Sequence, residues 1–254
     1  MGRRSRRPSA CLPEPEFEAP AGFGITFASL SMHMGDRIRL MQFPPTTIHA
    51  VKQAIAIKWP RGIQSTRVYA GSDEIQLCGN PWRGNDAIDA RRMMKGILEA
   101  LYDEGWVLCT STNCMMKQQE KDTLIFKYHD PTPAQCEWMS VSFVRQDHLR
   151  LIDAPWDFVT SLLGILKNEI QSHGAHAQKY VYDIKMTGYP WTAVGTSTMR
   201  TRSILLKLIE ALELHGFAVY ASVEQDAKDE EEEADVWHCC RKVGWVPGGA
   251  VYFS

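Results

Sequence analysis

Apolar residues recur at intervals of three and four along two segments of the chain, residues 87–101 and 198–212. This spacing places them on one face of an α-helix. Each segment leads to a glycine, Gly105 or Gly216, and glycine is the residue that most often ends a helix. Both segments are therefore predicted to be amphipathic helices that cover a hydrophobic core.

The two predicted helices belong to a longer internal repeat. Residues 29–44 align with residues 140–155 at an offset of 111 positions, with six identities among sixteen residues. The string GNPW at residues 79–82 matches GYPW at residues 188–191 after a slip of two positions. Chance does not produce this agreement, so the chain is predicted to be an internal duplication.

Each copy has the same order of predicted elements. A two-strand hairpin comes first, and in the first copy it turns at Gly35-Asp36, where glycine suits a two-residue type II′ turn. A helix follows that begins at Pro44-Pro45 and ends before Pro60. One strand, the second helix and two closing strands complete the unit, which gives the order ββαβαββ.

The predicted fold class is α+β. It consists of two tandem copies of a two-layer unit, each a mostly antiparallel sheet covered by two helices, at residues 23–130 and 131–254. Two copies in one chain are expected to pack about a pseudo-twofold axis, as a homodimer would. Residues 1–22 are rich in arginine and proline and are predicted to be a disordered tail.

Composition narrows the class of function. The 28 basic and 30 acidic side chains give a net charge of −2, so the folded part is not expected to bind nucleic acid in general. Only the Arg-rich tail is a candidate nuclear address or nucleic-acid arm. No apolar run is long enough to cross a membrane. Seven cysteines without a CxxC pair indicate reduced thiols, and hence a location in the cytoplasm or nucleus.

The sequence carries no catalytic template. It lacks the GxSxG, P-loop, GxGxxG and HExxH motifs, and its cysteines and histidines do not have metal-ligand spacing. No metal or cofactor is therefore predicted, and the balance is against an enzyme. The acidic run at residues 226–235 is expected to be a solvated loop, with partner binding as the alternative.

Arg91 and Arg202 occupy the same position of the second helix in the two copies, on or beside the buried face. A buried guanidinium needs a partner, which here is a carboxylate or the carbonyl groups of the GxPW turn. The candidate carboxylates are Asp36, Asp147, Glu99 and Glu210. The alternative is an anion site in which each arginine lies near a helix N-terminus, with Asn85 or Thr196 as the cap.

The GxPW turns each place a tryptophan, Trp82 or Trp191, on a rigid corner, because glycine allows an unusual backbone angle and proline fixes the next residue. Each tryptophan is predicted to fill the core or the seam between the copies. An exposed aromatic anchor for a partner or ligand is the alternative. Trp82 and Trp191 are therefore candidate binding residues together with Arg91 and Arg202.

Four strings of the chain resemble a family of fungal tandem-repeat proteins that has no assigned activity. They are WPRGIQSTRVYAGSDEIQLCGNPW, ARRMMKGILEALYDEGWVL, KDTLIF and YDIKMTGYPW. The resemblance covers nearly the whole chain beyond the tail. It implies a fungal source and the tandem architecture, and it carries over no catalytic residues.

The leading hypothesis is a non-catalytic intracellular binding or scaffolding protein that recognises another protein through the concave or edge surface of the paired repeats. The alternative is an enzyme that binds a small molecule or phosphoester in the cleft between the repeats, with Arg91 and Arg202 as anion contacts. A solvent-filled pocket around both arginines favours the enzyme, whereas burial against carboxylates favours the scaffold. The sequence predicts neither the ligand nor the oligomeric state.

Overall fold

The computed structural model describes residues 27–82, 87–112, 120–224 and 233–251. Within these ranges each repeat contains six strands and two α-helices in one order, ββαββαββ. The elements of the first repeat are β1 (Phe27–His33), β2 (Arg37–Met41), α1 (Pro45–Lys58), β3 (Ile63–Tyr69), β4 (Ser72–Leu77), α2 (Ala87–Asp103), β5 (Trp106–Thr112) and β6 (Glu120–Tyr128). Those of the second are β7 (Cys136–Val144), β8 (His148–Ile152), α3 (Trp156–Ile165), β9 (Ile170–Ala175), β10 (Val181–Met186), α4 (Thr198–Leu214), β11 (Ala218–Val223) and β12 (Glu233–Lys242).

The two sheets have the same strand order, and every pair of neighbouring strands is antiparallel. The order is β3-β4-β2-β1-β6-β5 in sheet A, the first repeat, and β9-β10-β8-β7-β12-β11 in sheet B, the second repeat. Adding six to each strand number of sheet A gives sheet B, so the α+β fold class and the duplication are confirmed. The tail predicted at residues 1–22 lies outside the described residues.

Each repeat has one strand more than the predicted ββαβαββ. The additional strands, β3 and β9, form the outer edge of each sheet, and nearly all their side chains face solvent. Because neither face of these strands is buried, they lack the alternation of apolar and polar residues that identifies a half-buried strand. The sequence pattern therefore reveals their partners, β4 and β10, and misses the edge strands.

The hairpin that opens each repeat turns through three residues. β1 pairs with β2 up to the loop at 34–36, and β7 pairs with β8 up to the loop at 145–147. The first residue of each loop, Met34 or Arg145, takes a left-handed conformation with φ of 54° or 53°. The predicted two-residue glycine turn is therefore wrong, and both copies use one turn geometry although only the first contains a glycine.

The predicted helix boundaries agree with the structure. α1 begins after Pro44 and ends at Lys58, just before Pro60. α2 ends before Gly105, which has φ of 90°. A β-carbon on Gly105 would lie 2.8 Å from the His129 carbonyl oxygen, so glycine is required there for both its backbone angle and its size.

The repeats stack so that α2 lies between the two sheets. One side of α2 packs within the first repeat, and the other side packs on β7 of sheet B. Cys136, Trp138 and Tyr220 of sheet B therefore share a hydrophobic core with the first repeat. The edge strands β5 and β11 meet at this seam, where the Leu108 N–H donates to the Tyr220 hydroxyl at 2.8 Å.

The predicted pseudo-twofold relation does not describe this packing. A twofold axis would bury α2 and α4 equally, yet α2 is covered on nearly all sides whereas Leu206 of α4 is 71% exposed. The layers instead run head to tail, as sheet A, α1 with α2, sheet B, and α3 with α4. Within the described ranges, no helix combines the length and the apolar character needed to cross a membrane.

Candidate functional site

The side of α2 that faces sheet B carries charged residues. Arg91, Arg92 and Lys95 lie there, and Arg91 and Lys95 are each only 4% exposed. Their spacing places them on one helical face, which in an isolated repeat would be exposed to water. Stacking of the second repeat covers this face, so its charges have to be balanced at the seam.

Asp153, which directly follows β8, bridges two of these cations. Its carboxylate accepts hydrogen bonds from Lys95 Nζ at 2.6 Å and from Arg92 Nη2 at 2.9 Å. The Lys95 ammonium also donates to the Trp138 carbonyl at 3.3 Å. We call Arg92, Lys95 and Asp153 the seam triad, because these three residues tie α2 of the first repeat to the second repeat.

Burial and pairing act in opposite directions on the seam triad. Burial alone would raise the pKa of Asp153, but the hydrogen bond from Arg92 and the charge of Lys95 hold that pKa below its ordinary value. Burial lowers the pKa of Lys95, and the Asp153 carboxylate opposes that shift. Burial also raises the pKa of Glu99, one turn further along α2, against the charges of Lys95 and Lys58. The Asp153 carboxylate therefore favours the charged form of Lys95 at the seam.

A pocket of about 440 Å³ opens beside the seam triad. Lys58 at the end of α1 and Lys179 in the β9–β10 turn line it from the two repeats, together with the triad, Ala154 and Tyr180. These described lining residues include four cations and one carboxylate, so the pocket has an excess of positive charge. Its volume is that of a small-molecule site.

Lys58 reaches the pocket across a glycine of α2. The Lys58 Cγ atom lies 2.8 Å from the position that a β-carbon on Gly96 would take. Glycine inside a helix is less stable than alanine by about 1 kcal/mol, and here it leaves room for the lysine stem. The aligned position on α4 is Lys207, so the equivalent path in the second repeat carries a side chain.

The β9–β10 turn is held beside the pocket by the seam triad. Arg92 Nη2 donates to the Lys179 carbonyl at 2.5 Å, and the Asp153 N–H donates to the Tyr180 carbonyl at 2.8 Å. The Lys179 ammonium lies 4.7 Å from the centre of the Tyr180 ring, which is a cation–π distance. Tyr180 is 70% exposed, so its ring is available to a ligand at the rim.

The two arginines predicted as anion contacts do not meet at one site. Arg91 is buried at the seam, where its charge acts on His238. Arg202 is exposed on α4 and contacts Thr198 and Met199 of the same helix. The expectation that both lie on or beside a buried face is therefore wrong for Arg202, because the second repeat forms the outer layer of the stack.

Arg92, which the sequence comparison of the two copies misses, is the arginine that lines the pocket. Its counterpart in the second repeat is Ser203, so a search for residues present in both copies passes over it. Arg92 is instead revealed by a difference between the two copies. Arg92 and Lys95 are charges on a helical face where α4 has Ser203 and Leu206, and this difference marks the face that meets another layer.

The remaining residues predicted around the arginines are dispersed. Asp36 and Asp147 lie in the hairpin turns, where Asp36 accepts a hydrogen bond from Gln76 and Asp147 pairs with His148. Glu210 is exposed on α4. Thr196 is exposed in a short 3-10 helix before α4, and Asn85 lies outside the described residues.

Trp82 and Trp191 hold equivalent places in the two cores. The Trp82 indole N–H donates to the Arg37 carbonyl at 3.3 Å, and that of Trp191 donates to the His148 carbonyl at 2.9 Å. Trp82 is fully buried, whereas Trp191 is half-buried with its ring against the Phe143 ring. These positions agree with the predicted core-filling role, and the pocket at the seam is lined by other residues.

A serine and a histidine are paired at the seam but sealed from solvent. Ser140 Oγ lies 2.9 Å from His238 Nδ1, and both side chains are fully buried. Burial, together with the charges of Lys95 and Arg91, lowers the pKa of His238 to about 3. The pair has the chemistry of a nucleophile and a base, but its burial keeps a substrate from the serine. Across the described residues, no His, Cys, Asp and Glu side chains are grouped in threes as metal ligands.

A repeated ion pair lies on the outer face of each sheet. Arg39 Nε contacts the Glu74 carboxylate at 2.8 Å, and Arg150 Nε contacts the Asp183 carboxylate at 2.7 Å. Glu74 is 2% exposed and binds two further arginines. These are Arg37 at 3.0 Å and Arg67 at 2.7 Å. Glu74 is therefore the central anion of a charge cluster, whereas Asp183 has a simple pair.

Replacing Glu74 with glutamine is expected to lower the free energy of unfolding at pH 7 by about 2 to 3 kcal/mol, because three guanidinium groups lose one buried carboxylate. Burial raises the pKa of Glu74, but pairing with Arg39 and Arg67 outweighs it, and the folded-state pKa lies below its ordinary value. The stabilisation is thus fully present above the unfolded-state pKa of about 4.3 and is lost as the pH falls through the folded-state pKa.

Asp183→Asn is the matched control for Glu74→Gln, because Asp183 is more exposed and has the equivalent arginine. It should cost less than about 1 kcal/mol. Urea unfolding of both variants between pH 7 and pH 3 measures the difference. Equal losses at pH 7, or a Glu74→Gln loss that grows on acidification, would contradict the proposed role of Glu74.

The fold and the seam define a tandem α+β repeat protein with a basic pocket between its repeats. One protein-family model matches the chain twice, at residues 26–127 and 137–240, and the chain belongs to the family that this domain defines. Each match covers one ββαββαββ unit. Comparison with curated proteins and with solved structures gave no match. The fungal source implied by the sequence resemblance stays a prediction.

Proposed function

We propose that this protein is a non-catalytic binding protein whose ligand is a small anion held in the pocket between the repeats. One observation carries the proposal. The side chains of Lys58, Arg92, Lys95 and Lys179 line a single cavity, and Asp153 is the one carboxylate among its described lining residues. A phosphate or carboxylate group balances that excess of positive charge through charge-assisted hydrogen bonds.

The origin of the cations suggests what the ligand does. Lys58, Arg92 and Lys95 belong to the first repeat, and Lys179 belongs to the second. An anion among them bridges the repeats, so its binding stabilises the folded chain against unfolding. The exposed ring of Tyr180 at the rim suits a phosphoester or carboxylate that carries a flat, partly apolar group.

An enzyme that uses the same cleft is the alternative, and Lys95 is the lining residue best suited to such chemistry. A buried lysine with a lowered pKa is a known type of nucleophile. Its 2.6 Å contact with Asp153, however, favours the protonated amine, which is not nucleophilic. This pairing supports binding rather than catalysis.

Recognition of a protein partner at a sheet edge stays a second prediction. The edge strands are β3 and β5 in sheet A and β9 and β11 in sheet B. β5 and β11 meet at the seam, so β3 and β9 are the described edges that present backbone groups to a partner strand.

The anion proposal is tested by thermal unfolding in phosphate and in chloride at matched ionic strength. Phosphate at ten times its dissociation constant is expected to stabilise the wild type by about 1.4 kcal/mol, which raises the Tm by about 2 to 4 °C. Lys179→Met and Lys58→Met remove pocket cations without breaking the Lys95–Asp153 pair, and each should lose most of this gain.

Lys167→Met is the matched control, because Lys167 is exposed after α3 and is not a lining residue of the pocket. Its phosphate gain should equal that of the wild type. A gain of the same size in all four proteins would mean that phosphate acts without the pocket and would reject the proposal. If the wild type releases nitrophenolate from p-nitrophenyl phosphate and Lys179→Met does not, the protein is an enzyme that uses this pocket.

A further inference from the structure

The two exposed ends of the stack correspond, by the internal repeat, to the two surfaces that are in contact at its centre. At the centre, the helical face of the first repeat packs on the outer face of sheet B. At the ends lie the helical face of the second repeat and the outer face of sheet A. Because both repeats have one fold, each end surface has a buried counterpart within the same chain.

The helical end carries exposed apolar residues at positions that are buried in α2. Met199 is 62% exposed, whereas its counterpart Ile88 is 6% exposed at the seam. Leu206 is exposed at the position of the buried Lys95. Met199, Leu206 and Leu214 follow one another at intervals of seven and eight, which places them in one stripe along α4. Such a stripe is typical of an interaction surface.

The outer face of sheet A shows the matching difference. Phe27 is 51% exposed, whereas its counterpart Trp138 of sheet B is 7% exposed under α2. Met41 is 44% exposed, whereas its counterpart Ile152 is fully buried. Phe27 and Met41 are therefore uncovered on sheet A, whereas their counterparts on sheet B lie under the first repeat.

Charged side chains border both ends. The outer face of sheet A carries three arginines around one buried carboxylate, Glu74. These arginines are Arg37, Arg39 and Arg67. Two exposed acidic residues of α4, Glu210 and Glu213, lie in the C-terminal half of the helix beside the apolar stripe. The exposed Arg202 lies on the same helix, so the two ends match in fold and both carry charges of mixed sign.

We propose that a second copy of this chain covers these ends, with α4 of one molecule stacked on sheet A of the next. At the seam, Ile88 of α2 packs with Ile152 of sheet B. The same register places Met199 of one molecule on Met41 of the next. Because the two surfaces differ, the interface is heterologous, and association continues beyond a dimer into an open stack.

The experiment compares full-length wild type with Met199→Glu and Met41→Glu by sedimentation velocity over a range of concentrations. The average mass of the wild type is expected to rise with concentration past that of two molecules. Each variant has one blocked end, and a buried unpaired charge should raise the concentration needed for association by at least about tenfold. Ile57→Glu, which changes an exposed apolar residue of α1 outside both ends, is the control and should associate like the wild type.

Mixing the two variants gives the sharpest result. Met199→Glu retains an intact sheet end and Met41→Glu retains an intact helical end, so an equimolar mixture should form one dimer and stop there. A wild type that stays monomeric, or one that stops at a dimer, would overturn the proposal. So would association that appears only after residues 1–22 are deleted, because that segment of the same chain would then be the occupant.

Discussion

Substituting alanine for Trp82 is expected to lower the free energy of unfolding by about 4 kcal/mol. The side chain is fully buried, and its removal leaves a cavity and eliminates the hydrogen bond from the indole to the Arg37 carbonyl. A loss of this size is a large part of the stability of an ordinary domain. Urea unfolding followed by circular dichroism, which does not depend on the missing indole, measures it.

Trp191→Ala is the natural comparison, since Trp191 donates the equivalent hydrogen bond but is only half-buried. Its loss should be about half that of Trp82→Ala, and phosphate should stabilise the folded variant as it does the wild type. If Trp82→Ala unfolds at the same urea concentration as the wild type, the tryptophan does not fill the core. If Trp191→Ala loses the phosphate effect, the residue belongs to a ligand site instead.

Substituting alanine for Asp153 is expected to destabilise the chain by about 3 kcal/mol. The change leaves Lys95 buried at the seam and Arg92 partly buried without their shared carboxylate. Lys95→Met is the matched variant, because Asp153 keeps its bond to Arg92 and the cost of burying the ammonium disappears. Its unfolding free energy should stay within about 1 kcal/mol of the wild-type value.

Combining Asp153→Ala with Lys95→Met separates the cost of leaving the Lys95 ammonium unpaired from the other effects of removing Asp153. The double variant Asp153→Ala with Lys95→Met should be more stable than Asp153→Ala alone, because it removes the uncompensated ammonium. Phosphate should stabilise Asp153→Ala more than it stabilises the wild type, since an anion in the pocket can replace the lost carboxylate. A single Asp153→Ala variant as stable as the wild type, with no extra phosphate effect, would show that the seam triad is not a buried charge cluster.

The fold could be predicted from the sequence where one face of an element is buried and the other is not. The spacing of apolar residues in α2 and α4, and the glycines at 105 and 216, gave the helices and their ends. The strands β3 and β9 could not be predicted, because an exposed edge strand has no buried face to impose alternation. Head-to-tail packing was also hidden, because duplication alone does not distinguish a twofold axis from stacking.

The candidate site was only partly predictable. A cleft between the repeats and an arginine on the second helix were both expected, yet the arginine that lines the pocket is Arg92 and not Arg91. Identity between the copies favours residues that serve the fold of each repeat, as Arg39 and Arg150 do in their ion pairs. A site at the seam is made once per chain, so its residues differ between the copies, and comparison of the copies overlooks them.

A crystal structure of the protein grown with selenate tests the anion site between the repeats most directly, because selenate is a tetrahedral anion whose selenium gives an anomalous signal. We expect an anomalous peak in the pocket, within hydrogen-bonding distance of Arg92 and Lys179, and loss of that peak in Lys179→Met crystals. Selenate bound elsewhere at saturating concentration, with no peak between the repeats, would contradict the anion site.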